Sequence, residues 1–171
     1  MVSKTFKKEM AQIVNMLKEE HINIHSIKKL LKQYHKKSFN FNSKYYQGKT
    51  FLHYVIENDA CNLISTLIKY GCNPNLCDDS YMTPLHCAVT NDNIKAIKKL
   101  IKNGADVNMV GEFEQTPLHL AVICGNLKIT KVLIKNGADI FLVDEKNLSV
   151  LDYAKDEKNN IIIDYLSRKI N

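Results

Sequence analysis

Two stretches of the chain repeat each other at one fixed offset. Thr83-Pro84-Leu85-His86-Cys87-Ala88-Val89 recurs as Thr116-Pro117-Leu118-His119-Leu120-Ala121-Val122. Leu100-Ile101-Lys102-Asn103-Gly104-Ala105-Asp106 recurs as Leu133-Ile134-Lys135-Asn136-Gly137-Ala138-Asp139. The step from Thr83 to Thr116 equals the step from Gly104 to Gly137. A fixed period of roughly 20–50 residues is the mark of a solenoid, in which each copy contacts only its neighbours. No other feature of the chain restricts its fold so strongly.

The residue types within one period predict a helix pair. Thr followed by Pro opens the first helix, because Pro at the first helical position has no amide hydrogen to lose and its φ is already helical. Leu and Ala then face inward, with Ala permitting close approach. The second helix supplies Leu and Ile at three- and four-residue steps. Gly71, Gly104 and Gly137 are placed to end it in the left-handed conformation. One such pair cannot bury its apolar face alone, whereas stacked neighbours bury it together.

The period extends in both directions. Gly48-Lys49-Thr50-Phe51-Leu52-His53 begins an earlier copy, and Ser149-Val150-Leu151-Asp152-Tyr153-Ala154 begins a later one. Before them, Phe6, Met10, Ile13, Val14 and Leu17 form one apolar helical face. Ile27, Leu30, Leu31 and Tyr34 form a second amphipathic stretch, with Ser26 expected as its N-cap. Residues 1–42 are read as a helical N-terminal cap and 43–171 as the array. Its copies lie at about 45–77, 78–110, 111–143 and 144–171, the last serving as a C-terminal cap.

The Thr-Pro-Leu-His, Ala-Val, Gly-Asn-Leu and Asn-Gly-Ala-Asp-Val-Asn strings resemble the ankyrin-repeat family over roughly residues 45–168. The resemblance implies an all-α solenoid of stacked helix pairs with projecting hairpin loops. It departs from the family pattern at the loop glycine, present as Gly48 but replaced by Tyr81, Glu114 and Asn147. Phe51 replaces Pro in the first copy, and Asp59 replaces its mid-repeat Gly.

Composition adds limits. No apolar run reaches the roughly 20 residues that span a bilayer, and no secretory leader is read at the N-terminus. Five cysteines, irregularly spaced, suit a reducing cytoplasmic setting, inside a host cell if the protein is delivered to one. Residues 1–47 hold ten Lys and three Glu, while 48–171 hold fourteen Lys or Arg against fifteen Asp or Glu. The positive excess therefore reads as an N-terminal property.

No constellation points to catalysis, a cofactor or a metal. His53, His86 and His119 share one repeat position, so stacking separates neighbours by about 10 Å, too far to share a zinc. Their expected role is structural, with one ring nitrogen on the preceding Thr and the other on loop backbone. Cys72 and Cys77 lack an answering Cys/His pair, and His21 with His25 lack the His-Glu-x-x-His order. The thiols are read as small buried or semi-exposed groups.

The expected function is non-catalytic protein binding by a monomer, through the concave face and loop tips. The resemblance implies that partners, here an unidentified protein, meet the loop tips and the exposed side of the first helices. The corresponding candidates are Tyr45, Tyr46, Tyr81, Met82, Phe113 and Glu114 at the loops, with Thr90, Asn91, Ile123 and Cys124 on the helices. Aromatic and Met anchors among polar neighbours are what interface hot spots look like. The chain also resembles stand-alone ankyrin proteins of viruses and host-associated bacteria, which implies a host-directed effector. An inhibitor of a Rel-type transcription factor is one alternative. Electrostatic binding to a membrane surface or nucleic acid through Lys4, Lys7, Lys8, Lys28, Lys29, Lys32, Lys36 and Lys37 is another. The lack of Arg there disfavours nucleic acid.

Overall fold

The computed structural model describes residues 4–19, 23–37 and 39–170; within 4–10, only the side chain of Lys8 is described. Phe6 and Met10 side chains, and residues Glu20, His21 and Ser38, therefore lie outside the described residues. Among the described residues the regular elements are all helices, joined by turns and hairpin loops, with one isolated antiparallel bridge between Val143 and Ser149.

The helices fall into two rows. The inner row comprises α1 (Lys4–Leu17), α3 (Phe51–Glu57), α5 (Pro84–Thr90), α7 (Pro117–Ile123) and α9 (Val150–Asp156). The outer row comprises α2 (Ile24–Lys36), α4 (Ile64–Lys69), α6 (Ile94–Lys102), α8 (Leu127–Lys135) and α10 (Asn160–Ile170). Successive inner helices pack closely on one another, while successive outer helices meet less closely. This is the expected all-α solenoid of helix pairs.

The core follows from the repeat. Leu85, Ala88 and Val89 on α5 and Leu118, Ala121 and Val122 on α7 are buried. Ile97 and Leu100 on α6, and Ile129 and Leu133 on α8, meet them from the outer row. At the N-terminal end Ile13, Val14 and Leu17 are buried together with Ile27, Leu31 and Tyr34. An aromatic cluster joins this end to the first copy: Phe41 lies 5.1 Å from Phe39 and 5.7 Å from Phe51 between ring centroids. That contact accounts for Phe51 at a position where Pro stands in the next two copies. A ring of this size fills the space against the preceding aromatic residues.

Thr83 and Thr116 cap α5 and α7, accepting from the His86 and His119 amides, with Pro84 and Pro117 in the first turn. One expected cap is displaced. α2 starts two residues before Ser26, and its N-cap is Asn23, whose Oδ1 accepts from the Ser26 amide at 3.0 Å. Asn93 and Asn126 do the same for α6 and α8. Asn is at least as good an N-cap as Ser, and capping at Asn23 lets Ile24 join the helix.

Candidate partner-binding surface

Each hairpin that precedes an inner helix is closed by backbone bonds. In the first, the Tyr45 amide donates to Lys49 (2.9 Å), and in the third, the Gly111 amide donates to Gln115 (2.8 Å). In the second and fourth, Asp78 donates to Met82 (2.9 Å) and Asp144 to Leu148 (3.1 Å). The carboxylates of those two aspartates also accept from the loop: Asp78 from Ser80 (2.9 Å) and Met82 (3.0 Å), Asp144 from Lys146 (2.9 Å) and Leu148 (3.0 Å). The loop glycine position keeps its left-handed backbone in every copy, at φ 68° for Gly48, 57° for Tyr81, 57° for Glu114 and 58° for Asn147. Gln47 and Phe113, one residue earlier, are left-handed as well, at 58° and 57°. The loss of glycine has therefore not changed the left-handed angle at this position, while the residue before it is left-handed only in the first and third hairpins. It has placed large side chains at backbone angles they adopt at a cost.

Below the tips, the three repeat histidines form a pillar. The Thr50, Thr83 and Thr116 amides donate to Nδ1 of His53, His86 and His119 at 3.1, 3.2 and 3.2 Å. Nδ1 is thus the acceptor, and the proton sits on Nε2. Nε2 donates to the carbonyl of Met82 (2.9 Å), Gln115 (3.0 Å) and Leu148 (3.3 Å) respectively. Each ring ties the start of its own helix to the next hairpin, as the sequence leads one to expect. Burial holds all three below the ordinary imidazole value, His86 at about 4.

Ligating atoms of His53, Asp78 and Cys87 lie within 4.8 Å of one another. The donor set does not suit a metal ion. The His53 lone pair is engaged by Thr50, and its Nε2–H by Met82. Asp78 Oδ1 holds two loop amides. Burial pushes the Cys87 thiol up to about 12, with the Asp78 and Glu57 carboxylates adding to the effect. Cys72, buried against the Phe41 carbonyl, is likewise pushed up to about 12.

The ten candidate contact residues separate into two groups. Tyr46 and Tyr81, each 69% exposed, and Phe113, 54% exposed, stand on successive hairpin tips, with Glu114 exposed beside Phe113. Met82 is half-buried beneath them. Tyr45 is half-buried too, its ring centroid 6.1 Å from that of Tyr54, so it covers the hairpin base. Thr90, Asn91 and Cys124 are exposed and Ile123 half-buried at the far ends of α5 and α7. Asn91 and Cys124 line a groove of about 1080 Å³ that runs across the turns between inner and outer helices.

That groove also contains residues outside the ten. Asp59 and Asp92 lie in it, left-handed at φ 51° each. Asp59 Oδ1 accepts from Asn93 Nδ2 at 2.9 Å, and Asp92 Oδ1 from Asn126 Nδ2 at 2.7 Å. The replacement of a mid-repeat glycine by Asp thus supplies a link to the next copy's helix cap. Glu57, at the groove rim, pairs with Lys49 at 2.6 Å. The signal for the Asp–Asn link was legible, since the pairs Asp59/Asn93 and Asp92/Asn126 are related by the repeat offset. Of the N-terminal lysines, Lys8, Lys28, Lys29, Lys32, Lys36 and Lys37 are exposed; the side chains of Lys4 and Lys7 lie outside the described residues.

Comparison with known proteins agrees with this architecture. A family profile for ankyrin repeats in three copies matches residues 13–111, more than half of the chain. A second, for ankyrin repeats in many copies, matches residues 100–154. The first match begins at Ile13, inside α1. A search of curated proteins gives no match. With two profiles matching in tandem over a stack of helix pairs and hairpins, the chain belongs to the ankyrin-repeat family.

Proposed function

We propose that the chain is a non-catalytic binding module that grips a protein partner through its hairpin tips and inner-row groove. Ankyrin repeats are generally protein–protein interaction modules, and proteins built of them are typically non-catalytic. The observation that carries the finer reading is the row of exposed rings on successive tips: Tyr46, Tyr81 and Phe113. Tyr81 and Phe113 adopt positive φ. The fold has no use for an aromatic side chain at such a position, and glycine would fit it at lower cost. Strained residues that the fold does not require support a contact role. The groove at the other end of the inner helices extends the contact surface toward Asn91 and Cys124.

Affinity capture followed by mass spectrometry tests this reading. Wild type and a Tyr81→Ala/Phe113→Ala double variant are compared in the same lysate. The variant is expected to lose the partners that wild type retains. Equal recovery of the same partners by both proteins would place the binding face elsewhere.

A further inference from the structure

Counted along the chain, residues 48–171 are nearly neutral. Counted by helix, they are not. Within that stretch α4, α6 and α8 carry one, four and three Lys, and α2 before it carries four, twelve in all, without a single Asp or Glu; α10 adds Lys169 and Arg168 against Asp164. All are exposed except Lys99, which is half-buried and donates to the Cys61 carbonyl and to Asn62. Among the described residues the ion pairs are Lys49–Glu57 and Arg168–Asp164, so none of these lysines is neutralised by a carboxylate. The repeat places them in columns. Lys36, Lys69, Lys102, Lys135 and Arg168 succeed one another, each one period after the last. With stacked helices about 10 Å apart, that column spans about 40 Å.

The fold explains part of this charge. Cations in the last turn complement the helix dipole, which suits Lys102 and Lys135. It does not explain Lys95 and Lys128, another pair one period apart. Both stand in the first turn of their helices, where the dipole favours an acid and disfavours a lysine. The next residue in their column is Ile161 on α10, an apolar side chain 69% exposed.

We infer that the outer row is a second, electrostatic docking surface, and that its partner is an anionic lipid bilayer. The surface is broad, its cations are mostly exposed lysines, with only Lys99 and Lys131 held by local contacts, and it ends in an exposed aliphatic side chain. A sheet of anionic headgroups asks for diffuse positive charge of this kind and accepts an aliphatic contact beside it. Nucleic acid fits less well. Helices α2, α4, α6 and α8 contain no Arg for bidentate phosphate or base contacts and no exposed Tyr or Phe for stacking on bases, and Arg168 on α10 is paired with Asp164. This surface is separate from the hairpin tips but adjoins the groove, which Lys95 and Lys128 also line, whereas Lys98 and Lys131 do not.

Co-sedimentation of the full chain with vesicles tests the inference. Vesicles of phosphatidylcholine with about one-third phosphatidylserine should retain the protein at low salt and release it at high salt. Pure phosphatidylcholine vesicles should not retain it. Lys95→Glu/Lys128→Glu should weaken the anionic binding by roughly tenfold or more. This variant should fold, because acids in the first turn suit the dipole. Lys98→Gln/Lys131→Gln, which changes the middle turns, should weaken binding in the same direction. Tyr81→Ala/Phe113→Ala should leave vesicle binding unchanged. The inference is overturned by no sedimentation with anionic vesicles, by wild-type binding in both lysine variants, or by tighter binding to duplex DNA than to vesicles at equal ionic strength.

Discussion

Asn108 reaches across to Gly137 in the next copy: its side-chain amide donates to the Gly137 carbonyl at 3.0 Å. Its side-chain oxygen meanwhile accepts from the Asp139 amide at 2.8 Å. Asn75 does the same for Gly104 (3.3 Å) and Asp106 (2.9 Å), and Asn42 for Gly71 (2.9 Å) and Asn73 (2.7 Å). Position 141 is next in the series, and there Phe141 stands 67% exposed. The ladder joins the ends of α4, α6 and α8 to the loop before each. It satisfies carbonyls and amides that a helix end would otherwise leave to water.

Asn108→Ala removes both bonds and leaves the Gly137 carbonyl and Asp139 amide without these partners. At about 1 kcal/mol per bond, the expected loss is about 1–2 kcal/mol in urea unfolding. A loss below a few tenths of a kcal/mol would mean that water replaces the amide without cost.

Tyr81→Gly separates stability from function. The substitution relieves a left-handed backbone angle on a bulky residue, so the unfolding midpoint should rise by the equivalent of about 0.5–1 kcal/mol. Partner binding should fall at the same time. A destabilised variant would show that the Tyr81 ring packs on its hairpin rather than being held out for contact.

The histidine pillar predicts an acid-labile fold. The folded-state values of His53, His86 and His119 lie below the ordinary value of 6.5 because the rings are buried. The unfolded chain then binds more protons than the folded one at pH values under about 6.5, so stability falls as pH falls. It is fully present above that value and is lost progressively toward about 4, where His86 protonates in the folded state. His86 alone accounts for on the order of 3 kcal/mol. Urea midpoints measured between pH 7.5 and 4.5 should decline across this window; a flat profile would contradict the buried neutral tautomers.

Thiol reactivity should sort by burial. Cys124 is exposed, while Cys72 and Cys87 are held as thiols at neutral pH, each pushed up to about 12. A chromogenic disulfide reagent should modify Cys124 first, half-buried Cys87 more slowly and Cys72 only on unfolding. Rapid labelling of Cys72 in the folded protein would show that its contact with the Phe41 carbonyl opens.

The repeat made much of the scaffold legible. Thr83, Pro84, His86 and Gly104 carry backbone requirements that only a few residue types meet, so their recurrence identifies the elements. The helical cap was harder to read, since Asn23 lies outside the repeated strings and Ser26 offers an equally good local signal. Tyr45 looked like Tyr46 in sequence, yet one ring lies half-buried toward Tyr54 and the other in solvent. That difference depends on hairpin geometry, not residue type. The lysine columns were hidden for another reason. A solenoid displays charge once per period, so along the contiguous sequence the acids of the hairpins and turns mask the outer helices.

The proposed binding face comprises the hairpin tips and the groove at the far ends of the inner helices. Hydrogen–deuterium exchange of the chain with a captured partner, compared with the chain alone, tests it most directly. The prediction is added protection at the amides of residues 46–48, 80–82 and 112–114 and at the turns 91–93 and 124–126, with the later turns of α6 and α8 unchanged. Protection confined to the outer helices, with the hairpins exchanging as in the free protein, would contradict it.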